Sequence, residues 1–152
     1  MKKIASFTVD HRKITEGIYL SRVDGDVVTY DLRMRRPNTG DLLSNSAMHS
    51  LEHLFATMAR NSSMEDQIIY FGPMGCQTGF YFLIRNEDHG QNLALIQKIL
   101  KEITTYDGPM PGASEVECGN YRNLDLALAK AEALRYYEAV KDWSVEKMRY
   151  EV

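Results

Sequence analysis

The pattern of apolar and polar positions changes period several times along the chain, and each change predicts an element. Ile4 to Val9 alternates weakly and predicts a short first strand that ends at Asp10-His11. Ile18 to Val23 and Val27 to Met34 flank an aspartate-glycine turn at Asp24-Gly25, which predicts a β-hairpin. In its second arm Val28, Tyr30, Leu32 and Met34 share one face, and Thr29, Asp31 and Arg33 share the other. That parity points Arg33 away from the apolar side, where a substrate can meet it. Pro37 to Gly40 ends the strand. From about Ser46 to Asn61, Met48, Leu51, Leu54, Phe55 and Met58 recur at helical spacing. Ile68 to Phe71 and Phe80 to Ile84 predict two short buried strands. Between them Gly72-Pro73-Met74-Gly75-Cys76-Gln77-Thr78-Gly79 is too glycine-rich for a strand interior. Asn92 to Thr105 predicts a helix with Leu93, Ile96, Leu100 and Ile103 inward, broken by Asp107-Gly108-Pro109-Met110-Pro111-Gly112. A last helix is predicted from about Leu124 to Trp143, with Leu124, Leu128, Ala131 and Leu134 on its apolar side. Hairpin strands with three separate helices predict an α+β fold: a single domain in which helices pack on an antiparallel sheet.

Composition narrows the setting. A chain of 152 residues, 44% hydrophobic and 26% charged, is long enough to bury a core without disulfides. A net charge of −3 argues against a nucleic-acid partner. The one basic cluster, Arg33-Met34-Arg35-Arg36, is expected to be a solvated strand edge. Thr8, Asp10, His11 and Arg12 interrupt any apolar signal-peptide core after Lys2-Lys3, and no run is apolar enough to span a membrane. The expected location is therefore the cytoplasm, where Cys76 and Cys118 are expected as thiols.

The chemistry concentrates in the first predicted helix. His49-Ser50-Leu51-Glu52-His53 has the order His-x-x-Glu-His and holds two of the four histidines in the chain. Residues four apart stack on one helical face, so His49 and His53 can aim two imidazoles at one point with Glu52 beside them. Two neutral imidazoles and a carboxylate are what a divalent metal with an activated water or substrate requires. Two His leave a third ligand to be found, and cysteine, aspartate or glutamate would each serve. The same order marks inverzincin metallopeptidases, in which Glu115 or Glu117 would complete the site. It also allows a structural site closed by both histidines and both cysteines, although the separations exceed ordinary finger spacings and leave Glu52 without a role.

Over nearly its whole length the sequence resembles the S-ribosylhomocysteine lyase (LuxS) family. Four stretches carry the resemblance: Ser6-Phe7-Thr8-Val9-Asp10-His11; Asp31-Leu32-Arg33 before Arg36-Pro37-Asn38; His49-Ser50-Leu51-Glu52-His53-Leu54; and Pro73-Met74-Gly75-Cys76-Gln77-Thr78-Gly79-Phe80-Tyr81, with Cys118-Gly119 beyond. The resemblance implies a LuxS/metallohydrolase-like α+β homodimer with active sites at the subunit interface. It also implies one divalent metal per subunit, ferrous iron by expectation, with zinc or cobalt able to substitute. His49, His53 and Cys118 would be its ligands, with the fourth position open. The implied reaction cleaves the thioether of S-ribosylhomocysteine, giving homocysteine and 4,5-dihydroxy-2,3-pentanedione, the precursor of autoinducer-2. Cys76 matches the catalytic cysteine, Glu52 the second acid–base residue, and Ser6, His11 and Arg33 match substrate-contacting positions. One position departs from the pattern: Tyr70 stands six residues before Cys76, where many members carry a substrate-contacting aspartate. A tyrosine hydroxyl can bond a sugar, but it lacks the two acceptor oxygens of a carboxylate.

Overall fold

A computed structural model describes residues 1–151. The hairpin forms as its turn residues require: β1 (Gly17–Asp24) pairs antiparallel with β2 (Val27–Arg33). Helix α1 (Asn45–Arg60) follows, then β3 (Ile68–Pro73), β4 (Gly79–Ile84), α2 (His89–Thr105) and α3 (Leu126–Val140). The four strands make one sheet in the order β1-β2-β4-β3, antiparallel throughout. Ser44, Asp88 and Asp125 cap the three helices, each accepting from a backbone N–H in the first turn.

The period-two pattern of β2 and β4 divides the sheet into two unlike faces. On one, Val28, Tyr30 and Leu32 sit opposite Ile84, Phe82 and Phe80, all fully buried under the helices. Phe55 of α1 stacks on Phe71 at 4.1 Å, and Phe71 stacks on Phe80 at 4.7 Å, which docks the metal-motif helix onto β3 and β4. The inward residues expected for α2 are buried, joined by Leu95 and Ile99. On the other face Thr29, Asp31, Arg33, Tyr81 and Leu83 look away from the helices.

Three expectations are corrected. Ile4 to Val9 is not a strand: Ala5–Phe7 forms a 3₁₀ turn, and Thr8 Oγ1 donates back to Ala5 O at 2.6 Å. Local bonds of this kind satisfy the backbone and compete with strand pairing. The basic cluster is not a solvated edge, because β2 is a central strand; Arg33 and Arg35 are 2% and 4% exposed, each held by carboxylates. Finally, α3 buries Ala129, Ala133, Tyr136 and Val140, while Leu128 and Leu134 face outward. Small alanines allow a close approach to the neighbouring helices, and the Tyr136 hydroxyl donates to Gly17 O at 2.6 Å. That anchor turns the helix away from its leucine stripe.

Candidate active site

His49 and His53 lie one turn apart on the half-buried outer flank of α1, their rings 4.7 Å apart and nearly perpendicular. Each Nδ1 is engaged by an oxygen acceptor: His53 Nδ1 donates to Pro111 O at 2.8 Å, and His49 Nδ1 donates to Asn123 Oδ1. Asn123 is itself held, donating through Nδ2 to Asn45 Oδ1 at 2.9 Å. With both Nδ1 atoms occupied as donors, both Nε2 lone pairs are left for a ligand.

The segment after α2 supplies the third donor. The break at residues 107–112 turns the chain across α1, where Gly112 sits at φ +69. A Cβ at Gly112 would stand 2.8 Å from His53 Nδ1, so only glycine lets the backbone lie this close to the imidazole. Cys118 Sγ then comes within 3.3 Å of His49 Nε2, and the Asn120 backbone N–H donates to that sulfur at 3.4 Å. One donor atom each from His49, His53 and Cys118 lies within 4.8 Å of the others, the only such group among the described residues. Two imidazoles and a thiolate on one point fit a tetrahedral divalent ion with its fourth position free. Neither Glu115 nor Glu117 belongs to the group, and Glu117 instead accepts from Ser114 Oγ at 2.6 Å. Cys76 is also outside it, which removes the geometry of a four-ligand structural site. Glu52 is half-buried on the same helical flank.

Cys76 opens into a cavity of about 350 Å³ beside Ser6, Phe7, His11, Arg33 and Tyr81. Four residues that the family resemblance brought forward from three separate stretches, Ser6, His11, Arg33 and Cys76, therefore meet. Parity aimed Arg33 correctly, but its guanidinium is buried rather than free. Nε and Nη2 fork onto Asp31 at 3.1 and 2.7 Å, and Nη1 donates to Thr78 Oγ1 at 2.8 Å. Burial works against the Arg33 charge, and the Asp31 carboxylate more than offsets it, so its pKa stands above the ordinary value. Burial, reinforced by Asp31, also raises the Tyr81 hydroxyl. A second cavity of about 340 Å³ adjoins the first through Ser6 and Tyr81, and Tyr70 lines it, half exposed. The Tyr70 ring folds across Gly72, where a Cβ would fall 1.9 Å from the Tyr70 hydroxyl oxygen.

Pro111, Asn123, Asp31 and Thr78 were not singled out from the sequence as site residues. Asp31 and Thr78 did lie inside the matched stretches. Nothing in the local pattern of residues 111 or 123 announces a contact with α1.

Fold and site together define a class: an α+β protein with a His₂Cys group able to hold a metal, two of its members on a helix and one in a loop, and a separate cysteine–arginine cavity on its sheet. The profile of the S-ribosylhomocysteinase (LuxS) family matches residues 4–147, and the chain belongs to that family. It is 45% identical to the S-ribosylhomocysteine lyase of Desulfotalea psychrophila, over 97% of this chain and 96% of that one. It is 42% identical to the enzyme of the same name from Borreliella burgdorferi and 39% identical to that of Finegoldia magna, each over 99% of both chains. No helix among the described residues is long and apolar enough to cross a membrane.

Proposed function

We propose that the protein is an S-ribosylhomocysteine lyase, a carbon–sulfur lyase that releases homocysteine and 4,5-dihydroxy-2,3-pentanedione in the cytoplasm. The observation that carries this reading is the convergence of His49, His53 and Cys118 on one point in a chain whose relatives bear that name. His49, His53 and Cys118 hold one divalent ion, ferrous iron in our reading. When bound, it supplies a Lewis acid that polarises the sugar oxygens.

The residues of the chain move the protons. Cys76 takes a proton from the carbon beside the carbonyl and returns it to the former carbonyl carbon, while the hydroxyl proton of the first carbon passes to the former carbonyl oxygen. The carbonyl thereby shifts from C1 to C2 and, by the same exchange, to C3. The sulfur at C5 is then β to the carbonyl. Glu52 removes the C4 proton, the C5–S bond breaks, and its electron pair leaves with homocysteine. The resulting enol takes up a proton at C5 to give the dione. Arg33 places a cation beside the reacting carbons, and Ser6, His11 and Tyr70 line the cavities that receive the rest of the substrate.

A second copy of the chain completes the site. No lining residue of the Cys76 cavity belongs to the metal group, and Phe7 and Ile4, 68% and 58% exposed, leave an apolar rim at the two cavities. A homodimer covers that rim and brings the Cys76 cavity of one copy against the metal group of the other. Neither nucleic acid nor membrane has a place in this reading.

The test is release of thiol from S-ribosylhomocysteine by anaerobic, iron- or cobalt-loaded protein. Turnover that vanishes in both Glu52→Gln and Cys76→Ala supports the assignment. Absence of thiol from a folded, metal-replete dimer sinks it, and would turn attention to Tyr70 and other thioether sugars.

A further inference from the structure

The last residues described return to the sheet face that carries Cys76. Tyr150 stacks on Tyr19, ring centroids 5.1 Å apart and 16° from parallel, and its hydroxyl donates to Asp31 Oδ2 at 2.7 Å. From there the hydrogen bonds run without a gap. Asp31 accepts both prongs of the Arg33 fork, Arg33 Nη1 donates to Thr78 Oγ1, and Thr78 Oγ1 meets Cys76 Sγ at 3.0 Å. Asp31, Arg33 and Thr78 are 1%, 2% and 2% exposed, so water is excluded from the interior of this chain.

Donor counting fixes the polarity of the Arg33–Thr78 bond. Arginine has only donors, so Thr78 Oγ1 must accept from Arg33. Thr78 keeps its hydroxyl hydrogen, which can donate to Cys76 Sγ when the sulfur is a thiolate. At the far end Tyr150 withdraws negative charge from Asp31. A carboxylate that shares its charge with a phenol neutralises Arg33 less, and more of the guanidinium field reaches Thr78 and the sulfur beyond.

We infer that Tyr150 and Thr78 are positioning residues for Cys76, and that the C-terminal segment conditions the reactive sulfur through the relay Tyr150–Asp31–Arg33–Thr78. This rests on the reading of Cys76 as the catalytic base, but the geometry of the relay does not depend on the substrate. Tyr150→Phe keeps the ring on Tyr19 and deletes one hydroxyl. Thr78→Val keeps the shape and deletes the other, while Thr78→Ser restores it.

The experiment measures the rate of Cys76 alkylation by iodoacetamide in metal-loaded dimer at neutral pH, with labelling at Cys118 counted separately by peptide mass mapping. Thermal midpoint, metal content, kcat and KM are followed in parallel. Tyr150→Phe and Thr78→Val are each expected to slow alkylation about fivefold, the weight of one hydrogen bond. kcat should fall by a similar factor, KM and metal content should hold, and Thr78→Ser should recover most of the rate. Unchanged alkylation in both variants, with native thermal midpoints, overturns the relay. Slowed alkylation in both variants of a parent protein that itself releases no homocysteine would keep the relay and discard the lyase reading, so the two failures are separable. If Thr78→Val is too unstable to purify, Tyr150→Phe alone decides.

Discussion

His49 Nε2 and Cys118 Sγ stand 3.3 Å apart although 69 positions separate them in the chain. The contact is made by a loop rather than by a second regular element, so its precision depends on what fastens that loop to α1. Three ties do this work: the His53–Pro111 hydrogen bond, the His49–Asn123 hydrogen bond, and Ser46 Oγ donating to Asn123 O. Removing the donor atom and removing a tie should therefore have different signatures.

Cys118→Ala deletes one of the three proposed ligands and should lose bound metal at purification, whereas Cys76→Ala should retain a full equivalent and lose turnover. Metal analysis by mass spectrometry, alongside the homocysteine assay, checks both. A Cys76→Ala protein that also emptied its site would put Cys76 among the ligands, against the grouping seen here.

Asn123→Ala leaves all three ligands in place but frees the His49 ring and detaches the loop from Asn45. Such outer-shell losses cost roughly 10–100-fold in metal affinity. Competition against a chromophoric chelator should show that weakening with folding preserved. Equal affinities in Asn123→Ala and the parent would mean that the Cys118 loop holds itself.

The histidine pair and the sheet were legible in the sequence because each is written in a local period. Two imidazoles four apart must share a helical flank, and alternation in 28–33 must give β2 one apolar and one polar face. Cys118 was a different case. Residue spacing left Asp, Glu and Cys equally open as third ligand, and only the family resemblance singled out Cys118, because a loop contact across 69 positions leaves no periodic trace. The N-terminal strand was misread because weak alternation cannot reveal whether a partner strand exists. The α3 face was misread because Tyr136, through one hydroxyl bond to Gly17, outweighs two leucines that find no pocket. The Arg33 cluster looked solvated because one sequence window does not show that β2 has neighbours on both sides.

Gly112→Ala tests the close approach directly. The residue holds φ +69, and an added Cβ would press within 2.8 Å of His53 Nδ1. The left-handed conformation alone costs a non-glycine residue about 1–2 kcal/mol. The thermal midpoint should drop, and metal should dissociate faster, because the His53 ring must turn to escape. A midpoint within error of the parent would show that residues 107–112 relax without disturbing α1.

Asp31 and Arg33 form a buried pair with side chains 1% and 3% exposed. Arg33→Met strands the carboxylate with only the Tyr150 hydroxyl in the chain described above, and loss of one partner of such a pair costs about 3–5 kcal/mol. The urea midpoint should fall accordingly. The paired change Asp31→Asn with Arg33→Met should recover part of the loss, because no uncompensated charge is left inside. Activity should not return with stability, since the cation facing Cys76 is gone. Recovery of both would reduce Arg33 to a structural role.

The division of labour between copies can be read from two inactive proteins mixed together. In the proposed dimer the Cys76 cavity comes from one chain and the His49, His53 and Cys118 group from the other. Cys76→Ala and His53→Ala are each expected to be inactive alone. Unfolded together and refolded, half of the dimers are mixed, and each mixed dimer holds one site with both defects and one with neither. Activity should then return to about a quarter of the parent value. If each site were built from a single chain, every site in every dimer would carry one defect or the other, and the mixture would stay inactive. A zero result with mixed dimers verified by mass would therefore move Cys76 and the metal into one subunit and leave the second copy without a catalytic contribution from that cavity.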